Sequence, residues 1–236
     1  MFEVLRRSVK VYLLKNTRLV KRLREENGLR KSDEVDAKLL SMIPRNHFKQ
    51  LTAREIGLLK LIGEYERYVK WKETIRQWMR ACPSDLFKEC AKRLQYLVKQ
   101  YARRIIMEVK DNANYATTYR LACDTIGVKD SVEIAILVVR LPLNWKLSRL
   151  YGLLGLIPRK SKNNKSYNYD HKLRKHLSKV ATSIYLNGKQ HGICTDLLKD
   201  LENLPPKKVI YRLELRILKI LKRAWQQKQL MLAGGQ

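Results

Sequence analysis

Cysteine, phenylalanine and proline are scarce in this chain, at four, three and six among 236 residues. The cysteines form no C-x-x-C pair and the four histidines are dispersed, so the sequence does not favour a zinc site. No stretch approaches the roughly 18 apolar residues of a transmembrane helix, and the first residues lack the apolar core of a signal peptide. The simplest interpretation is a cytoplasmic protein with reduced thiols and no membrane partner.

Acidic residues are also few. Fifty Lys and Arg stand against 22 Asp and Glu, which gives a net charge of +28 and a pI near 10.1. This excess exceeds what solubility requires and indicates an anionic polymer or an acidic membrane surface as partner. Apolar residues make up 45%, enough for a core. A basic amphipathic helix is predicted over 207–232. Such a helix suits binding to a membrane or to nucleic acid, and we favour a helix that packs on the rest of the protein while its charges support nucleic-acid binding.

The segment Lys31–Leu40 places two aspartates, Asp33 and Asp36, at the start of an apolar helical pattern. A spacing of three puts both carboxylates on one helix face, where they would suit a hard cation such as Mg²⁺. The same residues also suit a plain helix start, because Asp is favoured as N-cap and in the first turn. Asp33 with Asp36 is close to a capping box.

The order of elements around this segment resembles the DEDD-type insertion-sequence transposases of the Piv/MooV group, also described as RNA-guided serine recombinases. A predicted strand, Val9–Leu14, leads into a basic helix, Asn16–Arg24, before Gly28. The matches to the family motifs "N-P-x-x-V-K-x-L-R" and "K-S/T-D-x-x-D-A-x-x-L" are Asn16, Val20, Lys21, Leu23, Arg24, Lys31, Ser32, Asp33, Asp36, Ala37 and Leu40.

The resemblance implies that Asp33 and Asp36 are the last two acidic residues of a Mg²⁺-binding tetrad on a RuvC/RNase H-like domain. The family's first Asp and its Glu lie on earlier strands. Glu3 is the sole acidic residue among the first 24 here, too near the motif to be the family's Glu. We therefore expect an amino-terminally truncated transposase that is catalytically impaired, in which two carboxylates alone bind Mg²⁺ weakly.

Two long helices are predicted in the middle of the chain. Apolar residues recur at helical spacing over 53–80 and over 94–109, and Pro83–Asp85 separates the two runs. This pattern predicts an antiparallel hairpin or coiled-coil arm, which the family also has after its catalytic domain. The aromatic residues of the arm would suit stacking on bases, but we interpret them as residues of the helix seam, because aromatics at helical spacing usually pack.

A glycine turn, Ile126–Val128, follows a predicted helix over about 115–123. Asp130 as cap and Glu133 three residues later form a capping box for the next helix. The pattern suits a helix-hairpin-helix whose backbone N–H groups and Lys129 contact phosphate, or an ordinary turn between helices. The family motif "I-P-G-I-G-x-x-T/S-A" opens its carboxy-terminal domain, and this chain keeps Ile126, Gly127 and Ala135 of it.

Two further segments, Leu150–Pro158 and Leu173–Ala181, resemble the family's "Y-x-G-L-x-P" segment and "L-R-x-x-L-x-x-A-A" helix. Between them the family carries a Ser-Gly whose serine is the proposed nucleophile. Asn163 and Asn164 occupy that place here, so Ser161 and Ser166 are the candidate nucleophiles, and either serine would need a base or metal nearby. The alternative interpretation is that both serines are ordinary residues of a basic loop.

These observations predict a mainly α protein. We expect a remnant of an α/β RuvC/RNase H-like domain (1–45), a helical hairpin or coiled-coil arm (46–115), a carboxy-terminal transposase domain with the glycine turn (116–187) and a basic helical tail (188–236). The expected function is DNA binding in transposition or recombination, at the nucleoid. The expected partner is a second copy of the chain or a full-length relative, with a possible guide RNA. The alternative function is that of a non-enzymatic basic nucleic-acid-binding protein. The candidate contacts to nucleic acid are Lys21, Arg24, Lys31, Gly127, Lys129, Arg159, Lys160, Lys162, Lys165 and Arg174.

Overall fold

The computed structural model of the protein describes residues 10–14, 18–157, 169–191, 195–201 and 203–234. This part of the chain contains ten α-helices and one two-stranded sheet, which confirms the prediction of a mainly α protein. The chain divides into two compact units, Met1–Lys60 and Leu61–Gln236. The helices are α1 Arg18–Glu26, α2 Asp33–Met42, α3 Ala53–Ala81, α4 Asp85–Lys110, α5 Ala116–Ile126, α6 Val132–Arg140, α7 Leu147–Leu153, α8 His171–His191, α9 Thr195–Leu198 and α10 Pro206–Ala233.

The first unit combines a two-stranded antiparallel sheet with two helices that lie between the strands in sequence. Strand β1, Val11–Leu14, pairs antiparallel with β2, Phe48–Leu51. The strand predicted over Val9–Leu14 is present from Val11 to Leu14, whereas β2 was not predicted. Helix α1 packs against α2 around a small apolar cluster. The buried residues of that cluster are Val20, Leu39 and Ile43.

The start of α2 differs by one residue from the capping prediction. Ser32 is the N-cap, and its Oγ accepts a hydrogen bond from the Val35 N–H at 3.2 Å. Asp33 is therefore the first helical residue rather than the cap. Together with Glu34 and Asp36 it gives the first turn three carboxylates, which the positive end of the helix dipole favours.

The predicted helical hairpin is present in the second unit, where the part of α3 from Leu61 onward runs antiparallel to α4. The rings of Tyr68 and Tyr101 lie 5.0 Å apart across the seam. Near the turn, Trp78 lies 5.9 Å from Phe87, measured between ring centroids. The aromatic residues of the arm were predicted to lie in the seam, and Trp78 meets Phe87 there although 53% of Trp78 is exposed. Trp78 lies at the edge of the seam, so that only part of its ring meets α4.

The core of the second unit forms around α10 and α6. Helix α10 packs against α5, α8 and α9, and α6 packs against α4, α5 and α8. The stretch from Ile134 to Val138 is buried throughout, which explains why α6 is almost wholly apolar. The buried apolar residues of α10 are Val209, Leu213, Ile217, Leu218, Ile220, Leu221 and Ala224.

Helix boundaries in this unit follow the sequence predictions to within a few residues. The carboxy-terminal helix predicted over 207–232 is confirmed by α10. The helix predicted to end near 123 continues to Ile126, and a short helix, α9, covers Thr195–Leu198. No helix in the described ranges is both long and apolar enough to cross a membrane.

Candidate functional site

The two aspartates of the transposase-like motif lie in the first turn of α2, three residues apart. Asp33 is exposed, whereas Asp36 faces α1 and forms an ion pair with Arg24. The Arg24 Nε and Asp36 Oδ1 atoms are 2.8 Å apart, and 17% of the Arg24 side chain and 28% of the Asp36 side chain are exposed. The ion pair joins α1 to α2 and neutralises one of the two candidate metal ligands.

A Mg²⁺ ion is usually held by one or more carboxylates and further oxygens, and a two-metal site needs several carboxylates. Across the part of the chain that the structure describes, no three His, Cys, Asp or Glu side chains are arranged to hold a metal ion. Within the same turn, Asp36 is already paired with Arg24, and helical geometry directs the carboxylate of Glu34 to a different face from that of Asp33. The donor set at this motif does not fit the expected metal centre.

The glycine turn has the left-handed conformation that its sequence predicts. Gly127 has φ +79° and ends α5, and its N–H donates to the carbonyl oxygens of Cys123 and Asp124 at 2.9 and 3.1 Å. The N–H of Val128 donates to Cys123 O at 3.0 Å, which completes a Schellman motif. Both N–H groups are used inside the protein, so contact between this turn and phosphate depends on the exposed Lys129 and on the amino end of α6.

The cap of α6 corrects a second prediction. Ser131, not Asp130, is the N-cap, and its Oγ accepts from the Ile134 N–H at 3.3 Å. Asp130 instead pairs with Lys110 at 2.5 Å. Glu133 does not complete a capping box, because its carboxylate turns toward α8 and meets His176.

Arg174, a candidate contact to nucleic acid, makes an internal ion pair. Its Nε and Nη2 donate to the two carboxylate oxygens of Glu214 at 3.0 and 2.6 Å, and its Nη1 donates to Leu154 O at 2.9 Å. Ser178 also donates to Glu214, which is only 2% exposed. A bidentate pair in which the guanidinium meets a buried carboxylate is a strong link. It fastens α8 to α10.

The most densely connected polar cluster is one that the sequence did not predict. His176 lies on α8 and is 4% exposed. Its Nδ1 meets Glu133 of α6, and its Nε2 meets Glu66 of α3 at 3.0 Å. Arg140 donates to Glu66 at 2.6 Å, while Lys179 lies 3.3 Å from Glu133. The hydroxyl of Tyr65 reaches Glu133 at 3.4 Å.

The titration of this network follows from its geometry. Burial alone would lower the pKa of His176, but the hydrogen bonds to Glu133 and Glu66 outweigh it and raise that pKa. Burial alone would raise the pKa of Glu66 and of Glu133, but His176 and the neighbouring cations lower both. Both ring nitrogens face carboxylates, so the imidazole carries two protons and a positive charge. Since both nitrogens are occupied and the ring is buried, the cluster serves to hold α3, α6 and α8 together.

A second electrostatic feature lies where α3 passes α4 and α8. The pKa of Lys72 is lowered, first by partial burial and then by the nearby cations Arg76, Lys179 and Lys99. The acidic neighbour Glu73 opposes this effect only in part. Three further cations, from α3, α4 and α8, thus lie close enough to destabilise the charge of Lys72. Such a concentration of positive charge favours binding of an anion.

The other candidate contacts to nucleic acid differ in what they contact. Lys31 and Lys129 are exposed, and Lys21 makes only a loose pair with Glu25 at 3.6 Å. The candidate nucleophiles and the basic residues of the loop before α8 lie outside the described residues. These are Ser161, Ser166, Arg159, Lys160, Lys162 and Lys165.

Comparison with known proteins adds no family assignment. No family model matches the chain, and no curated protein matches it either. The resemblance to DEDD-type transposases therefore stays a prediction that rests on the motifs themselves.

Proposed function

We propose that this chain is a nucleic-acid-binding protein of a DNA transposition or recombination system, and that it binds mainly through the phosphate backbone. The observation that supports this proposal most is the uncompensated positive charge. Fifty Lys and Arg face 22 Asp and Glu, and many of the described carboxylates are already neutralised by internal ion pairs. The remaining positive charge lies on exposed faces of helices. Binding of these faces to a polyanionic phosphate backbone would release many counterions at once.

The cluster around Lys72 is the strongest local support for phosphate binding. Partial burial and then the nearby cations lower the pKa of Lys72, and Glu73 opposes this effect only in part. A phosphate placed among these side chains would remove the mutual repulsion, so its binding would be favoured more here than at an isolated lysine. Arg76 and Lys99 of this cluster are exposed, and the exposed Lys70 extends the basic surface along the hairpin.

The test is the salt dependence of binding to a 30-base-pair duplex of arbitrary sequence. Counterion release predicts that the logarithm of the affinity falls linearly with the logarithm of salt, with a slope of several units. The triple variant Lys70→Gln, Arg76→Gln, Lys99→Gln should reduce that slope by up to about 3. Lys110→Gln is the matched control, because Asp130 already neutralises Lys110. An affinity that does not change with salt would exclude the proposed function.

A second candidate function is a basic nucleic-acid-binding protein without any catalytic role. The ion pair between Arg24 and Asp36 favours it, because that pair occupies one of the two candidate metal ligands. A cleavage and strand-transfer assay with Mg²⁺ or Mn²⁺ tests this second candidate. Metal-dependent cleavage by the wild type that Asp36→Ala abolishes would exclude it.

A further inference from the structure

The helical hairpin has an apolar groove beside its seam. No other part of the described chain fills this groove. The groove has a volume of about 330 Å³ and lies between α3 and α4. Its lining residues are Trp71, Thr74, Ile75, Trp78, Cys90, Arg93 and Leu94. Two large aromatic rings on the surface of a highly charged protein are unusual, because exposed tryptophan loses the benefit of burial.

Both tryptophans are half exposed, Trp71 at 48% and Trp78 at 53%. The ring of Tyr68 meets Trp71 edge-on at 5.6 Å, and the ring of Phe87 lies 5.9 Å from that of Trp78. The remaining ring surface faces outward. The two residues are seven positions apart on α3, about two turns or 10 Å along the helix axis. They form two separate platforms on one side of the hairpin.

The charge around the groove identifies the kind of partner. Residues 67–99 contain nine Lys and Arg but three Asp and Glu. All three carboxylates are already in ion pairs: Glu73 with Lys175, Asp85 with Lys88, and Glu89 with Arg93. The two helix segments that border the groove, which we call its rim, therefore carry a net positive charge. A second copy of this chain would bring the same positive rim to the contact and would be repelled.

Basic and aromatic residues also alternate on the groove face of α3. Arg67, Trp71, Thr74 and Trp78 follow the spacing 0, 4, 7, 11 and so share one side of the helix. From α4, Arg93 lines the same groove. Its pair with Glu89 is an exposed i, i+4 contact, which is weak and is easily exchanged for phosphate.

We propose that the groove between α3 and α4 binds single-stranded nucleic acid, with unpaired bases stacked on Trp71 and Trp78 and the backbone phosphates paired with Arg67 and Arg93. Stacking tolerates any sequence, because every base has an aromatic face, and basic side chains follow the strand. A duplex presents no free base faces, so it binds through phosphates alone. This inference rests on the proposed nucleic-acid binding and specifies which form of nucleic acid this surface recognises.

The first test uses the wild-type protein and two probes of equal length and charge. One probe is a 20-nucleotide deoxythymidine strand, and the other is an abasic strand with the same phosphates. Stacking predicts at least tenfold tighter binding of the deoxythymidine strand, together with quenching of tryptophan fluorescence. Equal affinities for the two probes would overturn the inference.

The second test uses the double variant Trp71→Leu, Trp78→Leu, which keeps apolar, helix-forming residues. We expect at least a tenfold loss of affinity for deoxythymidine, with duplex affinity and its salt slope unchanged. Trp145→Leu is the control, since this half-buried tryptophan lies outside the groove and contacts Arg149. The same deoxythymidine affinity in the double variant, or a wild-type dimer that the double variant abolishes, would overturn the inference. Failure of the wild type to bind either strand or duplex would instead refute the proposed function.

Discussion

Replacing His176 with glutamine tests whether the buried network of α3, α6 and α8 depends on a protonated histidine. In the wild type, the imidazolium donates to Glu66 and Glu133, and each such charge-assisted hydrogen bond contributes roughly 1.5–3 kcal/mol. Glutamine is neutral and retains at most one of the two contacts. We therefore expect His176→Gln to lower the free energy of unfolding by about 3 kcal/mol near pH 6, comparable to breaking a buried ion pair.

The size of this loss should depend on pH in a defined direction. The folded-state pKa of His176 is raised, so its stabilisation is complete below about pH 6.5 and is lost as the pH rises through the folded pKa. The folded-state pKa values of Glu66 and Glu133 are lowered. Their stabilisation is complete above about pH 4.5 and is lost as the pH falls through those lower values. The network is therefore strongest between about pH 4.5 and 6.5.

The surrounding charges set how steep the change is. Arg140 and Lys179 form ion pairs with Glu66 and Glu133, and Tyr65 stays neutral because burial and then Glu133 raise its pKa. One proton is then exchanged when His176 titrates. The difference in stability between wild type and variant should fall by at most about 1.4 kcal/mol per pH unit above pH 6.5.

The assay is urea unfolding followed by far-ultraviolet circular dichroism from pH 5.5 to 9. His171→Gln is the matched control, because His171 begins the same helix but is exposed. We expect its difference from wild type to be small at all pH values. A penalty for His176→Gln that is the same at pH 6 and pH 9 would refute the reasoning, since it would mean that the native ring is not protonated.

Three further predictions concern a buried residue, the backbone geometry at two glycines and the candidate metal ligand Asp36. Ile62→Lys should lower the unfolding free energy by a few kcal/mol in denaturant titrations, because Ile62 is fully buried and a charge there has no partner. Gly155→Ala should destabilise by more than about 1 kcal/mol, since φ is +64° and the new Cβ would lie 2.8 Å from Tyr169, whereas Gly63→Ala, in open space on a helix, should stabilise by about 0.5–1 kcal/mol. Finally, the wild type should show no more metal-dependent DNA cleavage than Asp36→Ala; clear turnover in the wild type alone would contradict this.

The long helices were predictable because their signals are local and repeated. The apolar spacing in α3, α4 and α10 continues over many turns, and Pro83 and Pro205 mark the boundaries. Strand β2 gave no such signal. It has four residues, too few to show alternation, and its partner β1 lies more than thirty residues earlier.

The capping residues show the limit of a local pattern. In both motifs a serine and an aspartate are adjacent, and either residue caps helices well. The sequence therefore does not determine which of the two is the N-cap. In α6 the tertiary structure decides, because Lys110 pairs with Asp130 and leaves Ser131 to cap the helix. Glu133 then serves the histidine network rather than the cap.

The polar networks could not be predicted, because their members are distant in sequence. His176 lies 43 residues from Glu133 and 110 from Glu66. Nothing in the local pattern of α8 separates His176 from an ordinary helical histidine. Only packing of the three helices brings the carboxylates to both ring nitrogens, and burial then makes the arrangement stable only when the ring is charged.

The same reasoning limits how a basic residue in a motif is interpreted. Arg24 and Arg174 both match motifs whose arginines suggest contact with nucleic acid, yet each is held by a carboxylate of this chain, Asp36 and Glu214. If Arg174 moved to a phosphate, the buried Glu214 would lose its partner. The uncompensated carboxylate would then cost several kcal/mol. Exposed lysines such as Lys70 carry no such cost. Binding of polyanions by this protein should therefore depend on its exposed, unmatched cations more than on the arginines that the motifs emphasise.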